Sequence, residues 1–99
     1  MTIIDKNISK LIELCNLHNV KTLHVFGSAL NDNFSADSDI DFLVNFKSID
    51  LANYFSNYSS FRKMLKQLFK RDIDLVEKQS LKNPILIQSI NKNKTLIYG

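Results

Sequence analysis

The chain has 99 residues, of which 44% are hydrophobic and 23% are charged, and it carries a net charge of +3. This composition is ordinary for a globular protein and excludes a largely disordered chain, while the length fits one domain rather than two. A single cysteine excludes an internal disulfide. We therefore expect one domain spanning residues 1–99.

The cellular compartment is predicted from what the sequence lacks. The first residues show neither the charged region nor the apolar run of a secretory signal, and no stretch approaches the roughly 18 consecutive apolar residues of a membrane span. A lone cysteine also suits a reducing environment. We expect a cytoplasmic protein with no membrane partner. The mild positive charge is compatible with a nucleotide or RNA partner but is weak evidence alone.

The first half of the chain predicts a helix followed by two strands. Apolar residues recur at helical spacing over residues 5–18, and a β-rich run over residues 22–26 ends at Gly27. Residues 28–38 are polar and turn-like. Residues 39–46 then alternate, with apolar side chains on one face and polar side chains on the other, which is typical of a half-buried strand.

The second half predicts a long helix, a strand and a short helix. Residues 50–69 carry a wide apolar stripe that we assign to core packing. Its members are Leu51, Tyr54, Phe55, Tyr58, Phe61, Leu65, Leu68 and Phe69. Cations at the end of this helix, among them Arg71, fit the helix C-terminus at least as well as they fit a phosphate-binding patch. Residues 73–76 predict a third strand, residues 84–90 a short helix opened by proline, and residues 95–98 a last short strand or an ordered tail.

The order of these elements predicts an α/β (α+β) fold, in which a small mixed sheet is flanked by helices. The link between the first two strands is short and polar. Such a link favours an antiparallel or mixed pairing, because a parallel pair needs a long crossover.

Three aspartates are the candidate catalytic and metal-binding residues. Asp39 and Asp41 lie two apart on a predicted strand and therefore share a face, about 6–7 Å apart. Two such carboxylates repel each other unless a cation lies between them, and Mg²⁺ prefers oxygen ligands together with substrate phosphates. Asp74, on a later apolar strand, could hold a second ion or activate a nucleophile.

A glycine–serine turn is the candidate nucleotide site. Gly27 and Ser28 follow a strand, where glycine lets the backbone approach a phosphate and the serine hydroxyl can bind it. Ser38, next to Asp39, is a further candidate, although a plain turn role fits it equally well. His18 and His24 have no partners at metal-ligand spacing, so structural roles are preferred.

These residues resemble a known family. The segments that carry the resemblance are residues 25–28 (VFGS), 38–44 (SDIDFLV), 71–76 (RDIDLV) and 81–86 (LKNPIL), with the tail at 96–98 (LIY). Together they look like the DNA polymerase β-type nucleotidyltransferases, and within them the minimal nucleotidyltransferases. The match covers most of the chain, and its first two segments are the most specific.

The resemblance implies a site and an activity. It implies Mg²⁺ at Asp39, Asp41 and Asp74. It places a nucleoside triphosphate, with ATP favoured over the others, near Gly27 and Ser28. It also implies transfer of AMP to a hydroxyl acceptor. Such proteins are often paired with a small helical HEPN-type toxin, which some of them modify, so the implied role is that of an antitoxin in a toxin–antitoxin pair.

Other functions stay open at this stage. The family often has Ala-Arg-Gly soon after the Gly-Ser pair, whereas this chain has Leu30-Asn31-Asp32. The missing arginine suggests a weak or inactive subunit that masks its partner. A basic RNA-binding domain is a third hypothesis, which the carboxylates disfavour because they repel phosphates without a cation. A homo-oligomer is compatible with the sequence.

Overall fold

The computed structural model describes residues 2–27 and 38–99 of the chain. The helices are α1 (Thr2–Lys6), α2 (Ile8–Leu17), α3 (Leu51–Phe69) and α4 (Pro84–Asn93), and the strands are β1 (Val20–Phe26), β2 (Ile40–Phe46), β3 (Ile73–Glu77) and β4 (Thr95–Tyr98). A short 3-10 helix, Lys78–Ser80, follows β3. Among these described residues, no helix is both long and apolar enough to cross a bilayer.

The four strands form one mixed sheet in the order β3-β2-β1-β4. β1 pairs antiparallel with both β2 and β4, whereas β2 and β3 are parallel. Parallel neighbours need a crossover, and α3 supplies it between β2 and β3. The predicted mixed sheet, the antiparallel first pair and the last short strand are therefore confirmed.

The main core lies on one face of the sheet, beneath α2 and α3. Strand β2 shows why: Ile40, Phe42, Val44 and Phe46 alternate toward this face and are buried, as the sequence predicted. They pack with buried residues of the helices, among them Phe61 of α3. The opposite face, which we call the open face, carries the intervening residues of the same strands.

Polar contacts fix the helices to each other. The ring of His18, at the end of α2, lies 2.7 Å from the Leu14 carbonyl through Nδ1 and 3.0 Å from the Ser60 hydroxyl through Nε2. The side-chain amide of Asn57 donates to the His18 carbonyl at 2.8 Å. His18 is buried and lies against the ring of Phe61, so its role is structural, as expected.

Two expectations about the helices were wrong. The first helix is divided at Asn7, whose side-chain amide donates to the Ile3 carbonyl at 2.8 Å. In α3, Leu51 and Phe55 are 92% and 77% exposed rather than buried. Leu51 lies in the first turn of the helix, and Phe55 is turned about 100° from Tyr54, which places it beside the packed face.

Two phenylalanines of α3 give a matched test of this core. Phe61→Ala removes a fully buried ring, so we expect the free energy of unfolding to fall by about 3–5 kcal/mol. Phe55→Ala removes an exposed ring of the same helix and should change it by no more than about 0.5 kcal/mol. Denaturant unfolding followed by circular dichroism measures both, and equal losses would contradict the packing of α3.

The buried thiol of Cys15 predicts a pH dependence. Burial raises the pKa of Cys15 from 9.0 to about 12, so the unfolded chain loses this proton first. We expect the thiol to leave stability unaffected below pH 9 and to lower it as the pH rises from there toward 12. At pH 8.5, iodoacetamide should label Cys15 only as fast as the chain unfolds, and rapid labelling of the folded protein would refute its burial.

Candidate active site

Strands β2 and β3 bring two of the predicted aspartates side by side. Their parallel register pairs Asp41 with Asp74, and neighbouring strands lie about 4.8 Å apart. The adjacent pairs in this register, Ile40 with Ile73 and Phe42 with Leu75, are buried in the main core. Because successive side chains alternate, both aspartates belong to the open face.

The third aspartate lies at the start of β2, the strand that carries Asp41. Asp39 directly precedes β2, two residues before Asp41, and is exposed. Burial raises the pKa of the half-buried Asp41 carboxyl, and the negative charges of Asp74 and Asp39 raise it further. Both predicted partners therefore act on Asp41 electrostatically.

Contacts between the two strand starts hold this arrangement. The backbone N–H of Ile40 donates to the Asp72 carbonyl at 3.2 Å, and Arg71 Nη1 donates to the Ser38 carbonyl at 3.1 Å. Sequence reasoning assigned Arg71 to the end of a helix and missed this contact, since nothing in the local pattern indicates it. Asp72 forms an exposed salt bridge with Lys66, which contributes little to stability.

Two tyrosines fix α3 to the strand that carries Asp74. The Tyr58 hydroxyl donates to the Leu75 carbonyl at 2.6 Å, next to Asp74 in the chain, and the Tyr54 hydroxyl donates to the Glu77 carboxylate. Packing and hydrogen bonding thus account for both rings, as the sequence favoured over stacking on a base. Glu77 has a partner inside the fold.

Gly27 lies directly against the carboxylate of Asp41. It follows β1, where Phe26 pairs with Asp41, and its φ is +74°, a conformation that favours glycine. A Cβ added here would be 2.3 Å from Asp41 Oδ2, so any side chain would collide with the carboxylate. The predicted phosphate turn therefore begins in contact with the predicted metal ligand. Its second member, Ser28, lies outside the described residues.

The donors present fit a divalent cation chemically. All three side chains offer carboxylate oxygens, the ligands that Mg²⁺ prefers. The negative charges of Asp39 and Asp74 raise the pKa of Asp41, and a cation shared by the three carboxylates would relieve this repulsion. Within residues 2–27 and 38–99, no group of three or more acidic, histidine or cysteine side chains is placed to hold a metal. The three-aspartate metal site stays a prediction.

Comparison with known proteins identifies the family. Residues 9–99 match the family model described as Polymerase beta, Nucleotidyltransferase. The chain belongs to this family. It is 32% identical over 103 residues to a candidate protein adenylyltransferase of Methanocaldococcus jannaschii, covering 94% of this chain and 98% of that protein. A second candidate adenylyltransferase of that organism is 32% identical over 93 residues, covering 87% and 83%. The chain is a nucleotidyltransferase.

Solved structures share the fold. A minimal nucleotidyltransferase matches with a TM-score of 0.76 and 23% identity, covering 93% of this chain and 90% of that one. A toxin–antitoxin structure with AMP-PNP matches at 0.72 and 23% identity, covering 94% and 73%. A tri-AMPylated HEPN toxin with its MNT antitoxin, from Shewanella oneidensis, matches at 0.66 and 21% identity, covering 96% and 71%.

The contact between Gly27 and Asp41 can be tested with a double-mutant cycle. Gly27→Ala should lower the free energy of unfolding by about 1–3 kcal/mol, through its positive φ and the collision with Asp41 Oδ2. In an Asp41→Ala background the nearest remaining side-chain atom of residue 41 is Cβ, 3.6 Å away, an ordinary contact. The same substitution should then cost at least about 1 kcal/mol less. Additive losses would show that the two residues do not touch.

Proposed function

We propose that this nucleotidyltransferase transfers AMP from ATP, with Mg²⁺, to the hydroxyl of a tyrosine on a small helical HEPN-type partner, and so acts as the antitoxin of a toxin–antitoxin pair. The observation that carries the proposal is the pairing of Asp41 with Asp74 beside Gly27. The acceptor class is supported by the relatives named as candidate protein adenylyltransferases and by the toxin–antitoxin structures that share the fold.

In this proposal the three aspartates share one task and Asp74 has a second. Asp39, Asp41 and Asp74 would hold Mg²⁺, which supplies neutralisation of the phosphate charge when it is bound. The acceptor hydroxyl oxygen attacks the α-phosphorus and forms a new P–O bond. The bond from that phosphorus to the β-phosphate oxygen breaks, and pyrophosphate leaves with the electron pair. The hydroxyl proton passes to the Asp74 carboxylate.

The phosphates are assigned to the end of β1. Gly27 brings the backbone close to the Asp41 carboxylate, and a phosphate bound by N–H groups there would lie next to the carboxylates. Ser28, as the next residue, would contribute its hydroxyl and N–H. The bond from Arg71 Nη1 to the Ser38 carbonyl ties the residue before Asp39 to the segment before β3, which supports a positioning role for Ser38 at the nucleotide.

A masking subunit is the second candidate. The sequence feature that favours it is Leu30-Asn31-Asp32, where the family often has an arginine able to bind phosphates with two hydrogen bonds. In that case the partner would be neutralised by binding alone, and the aspartates would not be needed.

A transfer assay with matched aspartate variants tests the proposal. The protein is mixed with α-labelled ATP, Mg²⁺ and the product of the adjacent gene as the candidate partner, and label on that partner is followed over time. We expect Asp41→Asn and Asp74→Asn each to reduce transfer roughly 100-fold or more, since each removes a charge from the site. Asp72→Asn is the control, because Asp72 is an exposed carboxylate two residues before Asp74 and should leave transfer unchanged.

The outcomes separate the two candidates. Loss of label in the Asp41 and Asp74 variants with retention in the Asp72 variant supports the enzyme. Full neutralisation of the partner by an Asp39→Asn/Asp41→Asn double variant, with no label transferred by the wild type, would establish masking instead. Removal of Mg²⁺ with EDTA should stop transfer and leave masking intact.

A further inference from the structure

Strand β3, which carries Asp74, lies at an outer edge of the sheet in the described parts of the chain. Its inner edge bonds to β2, where the Asp72 carbonyl accepts from the Ile40 N–H at 3.2 Å. Carbonyls of successive residues in a strand point to opposite edges, so the Leu75 carbonyl, three residues further on, points outward. An outward carbonyl of an edge strand needs a hydrogen-bond donor from another element or from water.

Helix α3 supplies that donor through Tyr58. The Tyr58 hydroxyl donates to the Leu75 carbonyl at 2.6 Å, and one helical turn earlier the Tyr54 hydroxyl donates to the Glu77 carboxylate. The two pairs show that helix and strand run in opposite directions. Four helical residues rise about 6 Å and two strand residues about 6.6 Å, so the spacing of the tyrosines matches the spacing of their acceptors. Both bonds therefore form together along the edge of β3.

The Tyr58 ring is anchored on the main core. It is half-buried and packs against the cluster of buried residues, to which α3 also contributes the fully buried ring of Phe61. A side chain that is held by packing on a helix has few alternative positions, so its hydroxyl gives the backbone of β3 a fixed point. That point is the residue directly after Asp74.

The position of Asp74 depends on such a fixed point. Asp74 is the register partner of Asp41, and the negative charges of the two carboxylates repel each other. A small outward shift of β3 would relieve this repulsion, because no strand of the described chain lies on its outer side. The bond to Tyr58 opposes that shift. The shift matters for chemistry, since a displacement of about 1 Å at a reacting group can slow a reaction about 100-fold.

We propose that Tyr58 is a positioning residue for Asp74, whose hydroxyl holds β3 where the Asp74 carboxylate meets Asp41. The inference rests on the proposed function, in which Asp74 accepts the proton of the acceptor hydroxyl and helps to hold the cation. Tyr58 contacts neither substrate nor cation in this account, because its hydroxyl is bonded to the Leu75 carbonyl. Its effect passes through the backbone of β3.

The test compares two tyrosines at opposite edges of the sheet. Tyr98, on β4, is also half-buried, and its hydroxyl donates to the Asn16 side chain. Tyr58→Phe and Tyr98→Phe each remove one such bond and should lower the thermal midpoint alike, by about 4–8 °C. Only Tyr58→Phe should slow AMP transfer, by about tenfold or more. It should also weaken binding of Mn²⁺ without nucleotide by about tenfold, measured by electron paramagnetic resonance, while Tyr98→Phe leaves that binding unchanged.

A double-mutant cycle with Asp74 shows whether Tyr58 acts through this carboxylate. Asp74→Asn removes the charge that Tyr58 is proposed to position, so adding Tyr58→Phe to it should reduce Mn²⁺ affinity no further. The thermal midpoint should still fall by about the same amount as in the single Tyr58→Phe variant, because the lost bond is made by the Leu75 backbone. A tyrosine that only supported the fold would not show this separation of the two measurements.

Three results would overturn the inference. Equal effects of Tyr58→Phe and Tyr98→Phe on Mn²⁺ binding would reduce Tyr58 to a general support of the fold. Additive losses of Mn²⁺ affinity in the cycle would show that Tyr58 does not act through Asp74. A wild type that binds no Mn²⁺ would also reject it. A wild type whose Mn²⁺ binding depends on Tyr58 and Asp74, but which labels no partner, would leave the positioning role standing and reject the proposed function.

Discussion

The arrangement of this protein depends on placing like charges side by side at the start of two parallel strands. Asp41 and Asp74 are register partners, and Asp39 adds a third negative charge close by. Such a cluster is unfavourable in the absence of a cation, since each carboxylate makes ionisation of the next one harder. What offsets the repulsion is the other face of the same strands, where Ile40, Phe42 and Leu75 are buried.

Strand register therefore links stability and chemistry. A slip of one residue in β2 would turn its aspartates into the core and its isoleucine and phenylalanines toward water, so the hydrophobic face fixes which side chains reach the open face. Helix α3 adds a second constraint, because its tyrosines hydrogen-bond to β3 on both sides of Val76. The crossover that makes β2 and β3 parallel is thus also the element that holds Asp74 opposite Asp41.

How far the sequence predicts this structure depends on how far apart in the chain the interacting residues are. The alternation in β2 is local, so the strand and the face of its aspartates followed from residues 39–46. The exposure of Phe55 did not follow from the sequence, because helical spacing identifies an apolar stripe but does not show how much of that stripe packs against the sheet. The contacts of Gly27 with Asp41 and of Arg71 with Ser38 join segments far apart in the chain, and only the folded register reveals them. The role of Gly27 was predicted from its fit to phosphates, whereas its contact with a carboxylate is a separate reason for a glycine there.

The open face changes from charged to apolar along β2. Carboxylates lie at its start, and Leu43, about 7 Å further on, lines a cavity that Ile87 of α4 also lines. Asp41 and Asp74 lie on the same face of one sheet, so a ligand that reaches both carboxylates is held on that side of the sheet. Direction along β2 therefore gives such a ligand a polarity, because a cation or its charged partner suits the carboxylates at the start of the strand and an apolar group suits Leu43.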